Sequence, residues 1–152
     1  MMTPMITRRQ MTGYTLTALA FATGFRPAQA AATAATLYKT PDCGCCEGYA
    51  KYLGEHGFAV KQIASHDLPL IRKQQGVPAP LEGCHITFID KYIIEGHVPV
   101  EPINKLLAGR PDIKGISLPG MPEGSPGMTG EKTGPFVIYE ISEGEPRVFA
   151  RV

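Results

Sequence analysis

Four consecutive positions, "CGCC" from Cys43 to Cys46, carry three of the chain's four cysteines around one glycine. Two thiols suffice for a disulfide and four for a zinc site, so three at one point restrict both backbone and chemistry. The preceding stretch "ATLYKT" (35–40) reads as a short buried strand that ends at the Pro41-Asp42 turn. From Cys45 the apolar spacing becomes helical: Tyr49, Tyr52, Leu53 and His56 follow an i, i+3, i+4, i+7 pattern, and Gly57 supplies a C-terminal stop. The cysteines therefore sit on a strand-to-helix turn.

The rest of the chain extends this pattern. "FAVKQIA" (58–64) alternates like a strand, and Asp67 with Pro69 opens a helix that runs through Gln75 and closes at Gly76-Val77-Pro78. "HITFID" and "KYIIEG" predict a hairpin over about 85–96 around Asp90-Lys91, expected at the sheet edge. Ile103, Leu106 and Leu107 mark a short helix after Pro102 that ends at Gly109. The stretch 115–134 is too rich in Gly and Pro to hold a regular element for long, and "PFVIYEI" with "PRVFARV" reads as a terminal hairpin. The order is that of a thioredoxin-like α/β sandwich, with a parallel pairing from the early β-α-β run, a C-terminal Gly/Pro-rich loop and a final β-hairpin.

Residues 1–30 stand apart. A basic start with Arg8 and Arg9 leads into a weakly apolar run and then "RPAQA", the pattern of an export signal peptide cleaved after Ala30. Thr7-Arg8-Arg9-Gln10 also resembles a twin-arginine signal, an address used by proteins that fold before export. The run is too short and too interrupted by Thr and Gly for a membrane span, which needs roughly 20 apolar residues. The chain thus divides into an export signal over 1–30 and one domain over 31–152, with no membrane span after the signal is removed. Without its first 30 residues the chain keeps 12 basic against 14 acidic side chains, a net charge near −2. That leaves no basic field to hold nucleic acid or an anionic membrane.

Cys43 and Cys46 form a C-x-x-C pair where a helix begins, and the unpaired N–H groups there favour thiolate over thiol. Cys45 complicates a simple disulfide exchanger, because a third neighbour offers wrong pairings. Three thiolates within about 4 Å would repel by roughly 4 kcal/mol per pair at an effective dielectric near 20, so something positive belongs among them. Thiolates select copper(I), zinc or iron-sulfur clusters, and copper(I) accepts low coordination and bridging sulfur. A pair of structural disulfides is the weaker account, since closing such short loops restrains the unfolded chain little.

The fourth cysteine, Cys84, immediately precedes the third strand, where a thioredoxin-like chain passes beside its C-x-x-C pair. The arrangement therefore predicts that Cys84 faces the cluster. His85 next to it and His97 at the following strand-to-helix junction are further candidate ligands, each equally able to cap a hydrogen-bond network. Met121 and Met128, the only methionines after residue 30, lie in the Gly/Pro-rich loop, where thioethers could serve copper(I) or simply cover apolar surface. His56 reads as structural and His66 as a solvated loop residue.

Three segments, "YKTPDCGCCEGYAKYL", "GCHITFIDKYIIEGHVP" and "LPGMPEGSPGM", together resemble the CopG-type family of exported thioredoxin-like copper proteins, from about Leu37 to Met128. The resemblance implies a periplasmic protein of bacterial copper resistance, with copper held at Cys43, Cys45 and Cys46, a further cysteine matching Cys84, and redox activity on copper itself. His97 and the loop carrying Met121 and Met128 match family motifs without an assigned ligand role.

The leading expectation is a periplasmic protein that holds copper(I), in one or more ions, on Cys43, Cys45, Cys46 and Cys84, with other periplasmic copper-handling proteins as partners. A thiol-disulfide oxidoreductase using Cys43 and Cys46, and a zinc module on the cysteines with or without a histidine, are the rivals. The signal-peptide reading is checked first by mass: the protein recovered from a bacterial periplasm should begin at Ala31.

Overall fold

The computed structural model describes residues 31–152, so the export-signal reading of residues 1–30 lies outside the described part. Strand β1 (Thr33–Lys39) runs into helix α1 (Gly44–Glu55), and strand β2 (Phe58–Ala64) returns parallel to β1, with Ala35 opposite Val60 and Leu37 opposite Gln62. Helix α2 (Leu68–Gln75) follows, with Pro69 in its first turn and Gly76 in the left-handed conformation at its end (φ 67°), where the absence of a Cβ removes the steric cost. A single 3₁₀ turn at Ala79–Leu81 leads to β3 (His85–Ile89), which pairs antiparallel with β1 and turns back through Asp90 and Lys91 into β4 (Tyr92–Gly96). Helix α3 (Val100–Gly109), β5 (Gly115–Leu118), β6 (Val137–Ile141) and β7 (Val148–Arg151) complete one seven-stranded sheet in the order β2-β1-β3-β4-β5-β6-β7.

This is the expected thioredoxin-like α/β class with a terminal hairpin, with two differences from the reading above. The β3-β4 hairpin lies inside the sheet, because Gly115–Leu118 forms a strand that pairs parallel with β4 and carries β6 and β7 beyond it. Gly115 fits there because its backbone lies against Ile93: a Cβ would overlap the Ile93 carbonyl oxygen. Helix α3 begins at Val100, before Pro102, since a first-turn N–H has no intrahelical acceptor to lose and proline is tolerated there.

The two faces of the sheet are stabilised differently. One face packs α1 and α3 over an apolar core in which Leu37, Tyr49, Leu53, Ile94, Ile103, Leu106 and Ile138 have no exposed surface. Each such side chain contributes about 1.5–3 kcal/mol by leaving water. The other face sets Leu68 against Ile86, Ile93 and Ile141, beside a buried ion pair. There the Arg72 guanidinium donates to Glu95 Oε1 from Nε at 2.8 Å, and a second nitrogen lies 2.7 Å from the same oxygen. Arg72 also donates to the Gly83 carbonyl at 2.8 Å while the Gly83 N–H donates to Glu95 Oε1 at 2.9 Å, so α2 and β4 grip the residue before Cys84 from both sides. Burial holds the Glu95 carboxyl above its ordinary range, against the opposing effect of Arg72 and the Gly83 N–H. Among the described residues no helix is long and apolar enough to cross a membrane.

Removing one partner would leave the other charge buried and unpaired. Arg72→Ala should therefore lose about 3–5 kcal/mol in urea unfolding, and an Arg72→Met/Glu95→Leu pair should recover most of it.

Candidate metal centre

The site is assembled at one end of the sheet, where β1 finishes and β3 begins. Cys43 occupies the cap position of α1 in extended backbone (φ −84°, ψ 91°), its side chain makes no cap hydrogen bond, and its carbonyl accepts the first helical N–H, from Glu47, at 3.3 Å. The N–H groups of the first turn thus face the cysteines without intrahelical partners, a partial positive charge that favours thiolate. On the other side the β1-β3 ladder ends at the pair Lys39 and His85, which leaves Cys84 just beyond the last rung, over the start of α1.

Cys43 and Cys46 are joined by a disulfide across the first helical turn, with their Cα atoms 5.3 Å apart. Cys45 and Cys84 are free thiols. Cys45 Sγ lies 3.5 Å from Cys43 Sγ and 3.8 Å from Cys84 Sγ, and Cys46 Sγ is 3.7 Å from Cys84 Sγ. All four sulfurs fall within 4.8 Å of one another. Cys84 Sγ is also 3.0 Å from His97 Nε2 and 3.2 Å from His85 Nδ1.

Both imidazoles are fully buried, and their surroundings keep them neutral. Burial, followed by His97 and Arg72, pushes His85 down to about 3, while burial lowers His97 against the opposing pull of the Pro126 carbonyl. His97 Nδ1–H donates to Pro126 O at 2.6 Å, which directs the Nε2 lone pair toward Cys84. A backbone carbonyl on the far nitrogen is how ligating histidines are commonly oriented. His85 is packed against two rings, 4.6 Å from Tyr49 and 4.9 Å from His97, with the Gly96 backbone beside it. Tyr49 is anchored by its own hydroxyl, which donates to Val98 O at 2.8 Å. Burial and then the adjacent Cys45 push the Cys84 thiol up to about 12, so its proton is lost readily only to a cation that takes its place.

Residues that the sequence reading passed over complete the frame. The Lys39 ammonium, nearly buried, donates to Pro41 O at 2.9 Å and to Glu47 Oε1 at 3.0 Å, tying the end of β1 to the first turn of α1. Its only sequence signal is a lysine at an inward position of an alternating strand. The Gly/Pro-rich loop contributes backbone: Gly127 (φ 82°) sits so close to α1 that a Cβ would stand 2.5 Å from Tyr49 N and 2.7 Å from Cys45 O. That contact brings the Pro126 carbonyl to His97. Met128 is half-buried in the turn closed by its N–H to Ser125 O at 2.9 Å, and Met121 is exposed with φ 47°. Neither methionine sulfur takes part in the sulfur and imidazole contacts described above. His56 lies on the surface, its ring tilted against Tyr52 with Nδ1 2.7 Å from the Tyr52 carbonyl, and His66 is exposed.

The donor set suits a soft metal ion. Four sulfurs at these separations cannot all ionise without a cation among them, since each pair of thiolates would cost about 4 kcal/mol. Two neutral imidazole nitrogens stand beside the shared sulfur of Cys84. Fold and site together define a thioredoxin-fold protein whose C-x-x-C turn is enlarged into a cluster of four cysteines and two histidines.

The comparisons agree with this class. Two solved structures, titled "Copper resistance protein copG- Form 1" and "Copper resistance protein copG- Form 2", each superpose with a TM-score of 0.73 at 34% identity, over 80% of this chain and 98% of theirs. The chain belongs to the CopG family. A family model described as "Protein of unknown function, DUF411" matches residues 81–128, the segment that carries Cys84, His85, His97 and the loop over α1. No curated protein sequence gives a significant match.

The loop contact is open to test. Gly127→Ala places a methyl against the backbone of α1 and adds the strain of a positive φ, so it should cost about 1–3 kcal/mol in thermal or urea unfolding. It should also speed alkylation of Cys84 in the metal-free protein, because the roof over the site no longer seats.

Proposed function

We propose that the processed chain is a periplasmic copper protein of copper resistance, which holds copper(I) as cargo on Cys43, Cys45, Cys46 and Cys84. The observation that carries this reading is the convergence of four sulfurs, from segments 38 residues apart, within 4.8 Å. Thiolates at that spacing can each bridge two ions, a mode that suits copper(I) and lets more than one ion share four donors. The family supports the same metal, through relatives whose titles name copper resistance. Export rests on the signal pattern of residues 1–30.

A redox step fits the same residues. When Cys43 and Cys46 close their disulfide, two thiols lose two electrons and two protons. Two copper(II) ions accept one electron each, and two copper(I) ions result. The remaining donors, Cys45 and Cys84 with the histidines beside them, stay in place to retain the product.

A second reading, disulfide exchange with protein partners, is favoured by the observed Cys43–Cys46 bond, with Cys43 half-exposed and Cys46 buried. An incoming thiolate would attack Cys43 Sγ and release Cys46 as a thiolate at the helix N-terminus. The zinc module remains the third alternative, with four thiolates enough for a closed tetrahedral site.

One experiment separates the three. The processed protein is reduced anaerobically, loaded with copper(I) and challenged with a strong copper(I) chelator while free thiols are counted. Retention of more than one copper per chain with all four thiols masked is expected, and Cys45→Ser should lower both stoichiometry and affinity. Unchanged copper binding in Cys45→Ser would remove the cluster. Disulfide-reductase turnover that survives loss of Cys45 and Cys84 but not of Cys43 would favour exchange, and a fold that requires zinc would favour the zinc module.

A further inference from the structure

On β1 the buried positions alternate as Ala35, Leu37 and Lys39, and the first two enter the apolar core, so a third apolar side chain is the ordinary expectation at position 39. A lysine stands there instead, nearly buried, its ammonium 2.9 Å from Pro41 O and 3.0 Å from Glu47 Oε1. These contacts close a noncovalent ring over residues 39–47, and Cys43, Cys45 and Cys46 all lie inside it. We infer that Lys39 is a positioning residue for the Cys43/Cys46 pair: its clamp on Pro41 O and Glu47 holds Cys43 against the first turn of α1 while the disulfide is open, and so shifts the dithiol–disulfide equilibrium toward the disulfide. The inference rests on the redox reading proposed above for its use in the cell, whereas the clamp stands on its own contacts.

Three observations carry it. First, the turn has little else to hold it. Cys43 makes no side-chain cap hydrogen bond, Gly44 opens the helix, and a Cβ on Gly44 would meet nothing within 4 Å. An uncapped start lacks the bond that ordinarily fixes a helix N-terminus, and glycine there adds backbone freedom. The turn's own backbone bonds, Cys43 N–H to Thr40 O at 3.2 Å and Glu47 N–H to Cys43 O at 3.3 Å, are long. Second, burying an ammonium is unfavourable unless its donors are used, and Lys39 directs two of them to acceptors on either side of the cysteines. Third, the base of the clamp is rigid. Lys39 is a rung of two ladders, opposite Ala64 on β2 and His85 on β3, and its carbonyl accepts from Ser65 N–H at 2.8 Å.

The sign of the effect follows from which form needs the restraint. Ordering the open turn raises the effective concentration of one thiol at the other, whereas the closed disulfide already imposes that order covalently. Loss of the clamp is therefore felt mainly by the dithiol, and the disulfide becomes easier to reduce. A purely electrostatic role has a different signature. An ammonium favours nearby thiolates and a carboxylate disfavours them, so removing Lys39 and removing Glu47 would then move the equilibrium in opposite directions. The clamp predicts the same direction for both.

The test equilibrates the processed, metal-free protein anaerobically in glutathione buffers, where one protein disulfide and two glutathione thiols exchange for one protein dithiol and one glutathione disulfide. The fraction closed at Cys43–Cys46 is read by alkylation, mass and peptide mapping. Lys39→Met, which keeps an apolar stem in the core, should favour the dithiol by roughly tenfold, about 30 mV for a two-electron couple. Glu47→Ala should move the same way by about threefold, since Pro41 O still holds the ammonium. Glu47→Gln keeps an acceptor oxygen and should stay within about twofold of wild type, and Lys39→Met/Glu47→Ala should shift no further than Lys39→Met alone. Opposite shifts in the two single variants would overturn the clamp and assign the effect to charge, and wild-type equilibria in both would overturn it outright. If Lys39→Met does not fold, the exposed Glu47 decides: a shift in Glu47→Ala without one in Glu47→Gln upholds the clamp, and equal behaviour overturns it. Reduction of copper(II) by the wild-type dithiol is followed in parallel. If the thiol equilibrium moves as stated while wild-type protein reduces no copper(II), the redox reading falls and the clamp stands; if copper(II) is reduced and the variants match wild type, the clamp falls alone.

Discussion

The pairing of β1 with β3 is the constraint on which the site depends. Nothing local in the sequence holds Cys84 near Cys46; the antiparallel register, Leu37 opposite Thr87 and Lys39 opposite His85, does so by ending both strands at the same level. Because side chains alternate along a strand, a slip of one residue would turn His85 from the α1 face to the α2 face and carry Cys84 with it. The apolar residues that alternate with them, Leu37 and Ile89 on the α1 face and Ile86 on the other, set that register by their burial. The core and the metal-binding chemistry therefore share one determinant.

The opposite face of the sheet is organised around charge. Replacing Arg72 and Glu95 by apolar residues would often be neutral or better for stability in a general protein core. Here their hydrogen bonds end on both backbone groups of Gly83, one residue before Cys84. An apolar pair could fill the volume but could not fix the backbone that presents the sulfur. Gly83 itself has no room for a side chain, since a Cβ would stand 2.6 Å from Gly96 Cα, and Gly96 in turn leads directly to His97. The two candidate ligand segments are thus held against each other through their glycines.

Much of this was legible in advance, and the failures have physical reasons. The α-β alternation and the cysteine turn were readable because apolar spacing is strong over 33–64 and because a run such as "CGCC" has few other uses. Strand β5 was hidden: Gly115–Leu118 is four residues long, buried on both faces and set in a stretch dense with turn formers, so it shows no alternation. Without β5 the β3-β4 hairpin reads as a sheet edge, whereas β5 to β7 lie beyond it. At the centre, the dense sulfur motif announced itself, whereas Lys39, Tyr49 and Pro126 act through backbone carbonyls, ring contacts and one buried ammonium. The methionine-bearing loop illustrates the limit best, because its visible soft atoms drew attention while its glycine and its proline carbonyl make the contacts.

The acceptor that orients His97 is a peptide oxygen, where many metal centres place a carboxylate. A carboxylate there would add a fixed negative charge beside the sulfurs and compensate part of whatever cation they receive. A carbonyl orients the ring and contributes only a dipole. The charge at the sulfurs then follows their own ionisation, so each proton exchanged there changes it by one unit and each ion by its full charge.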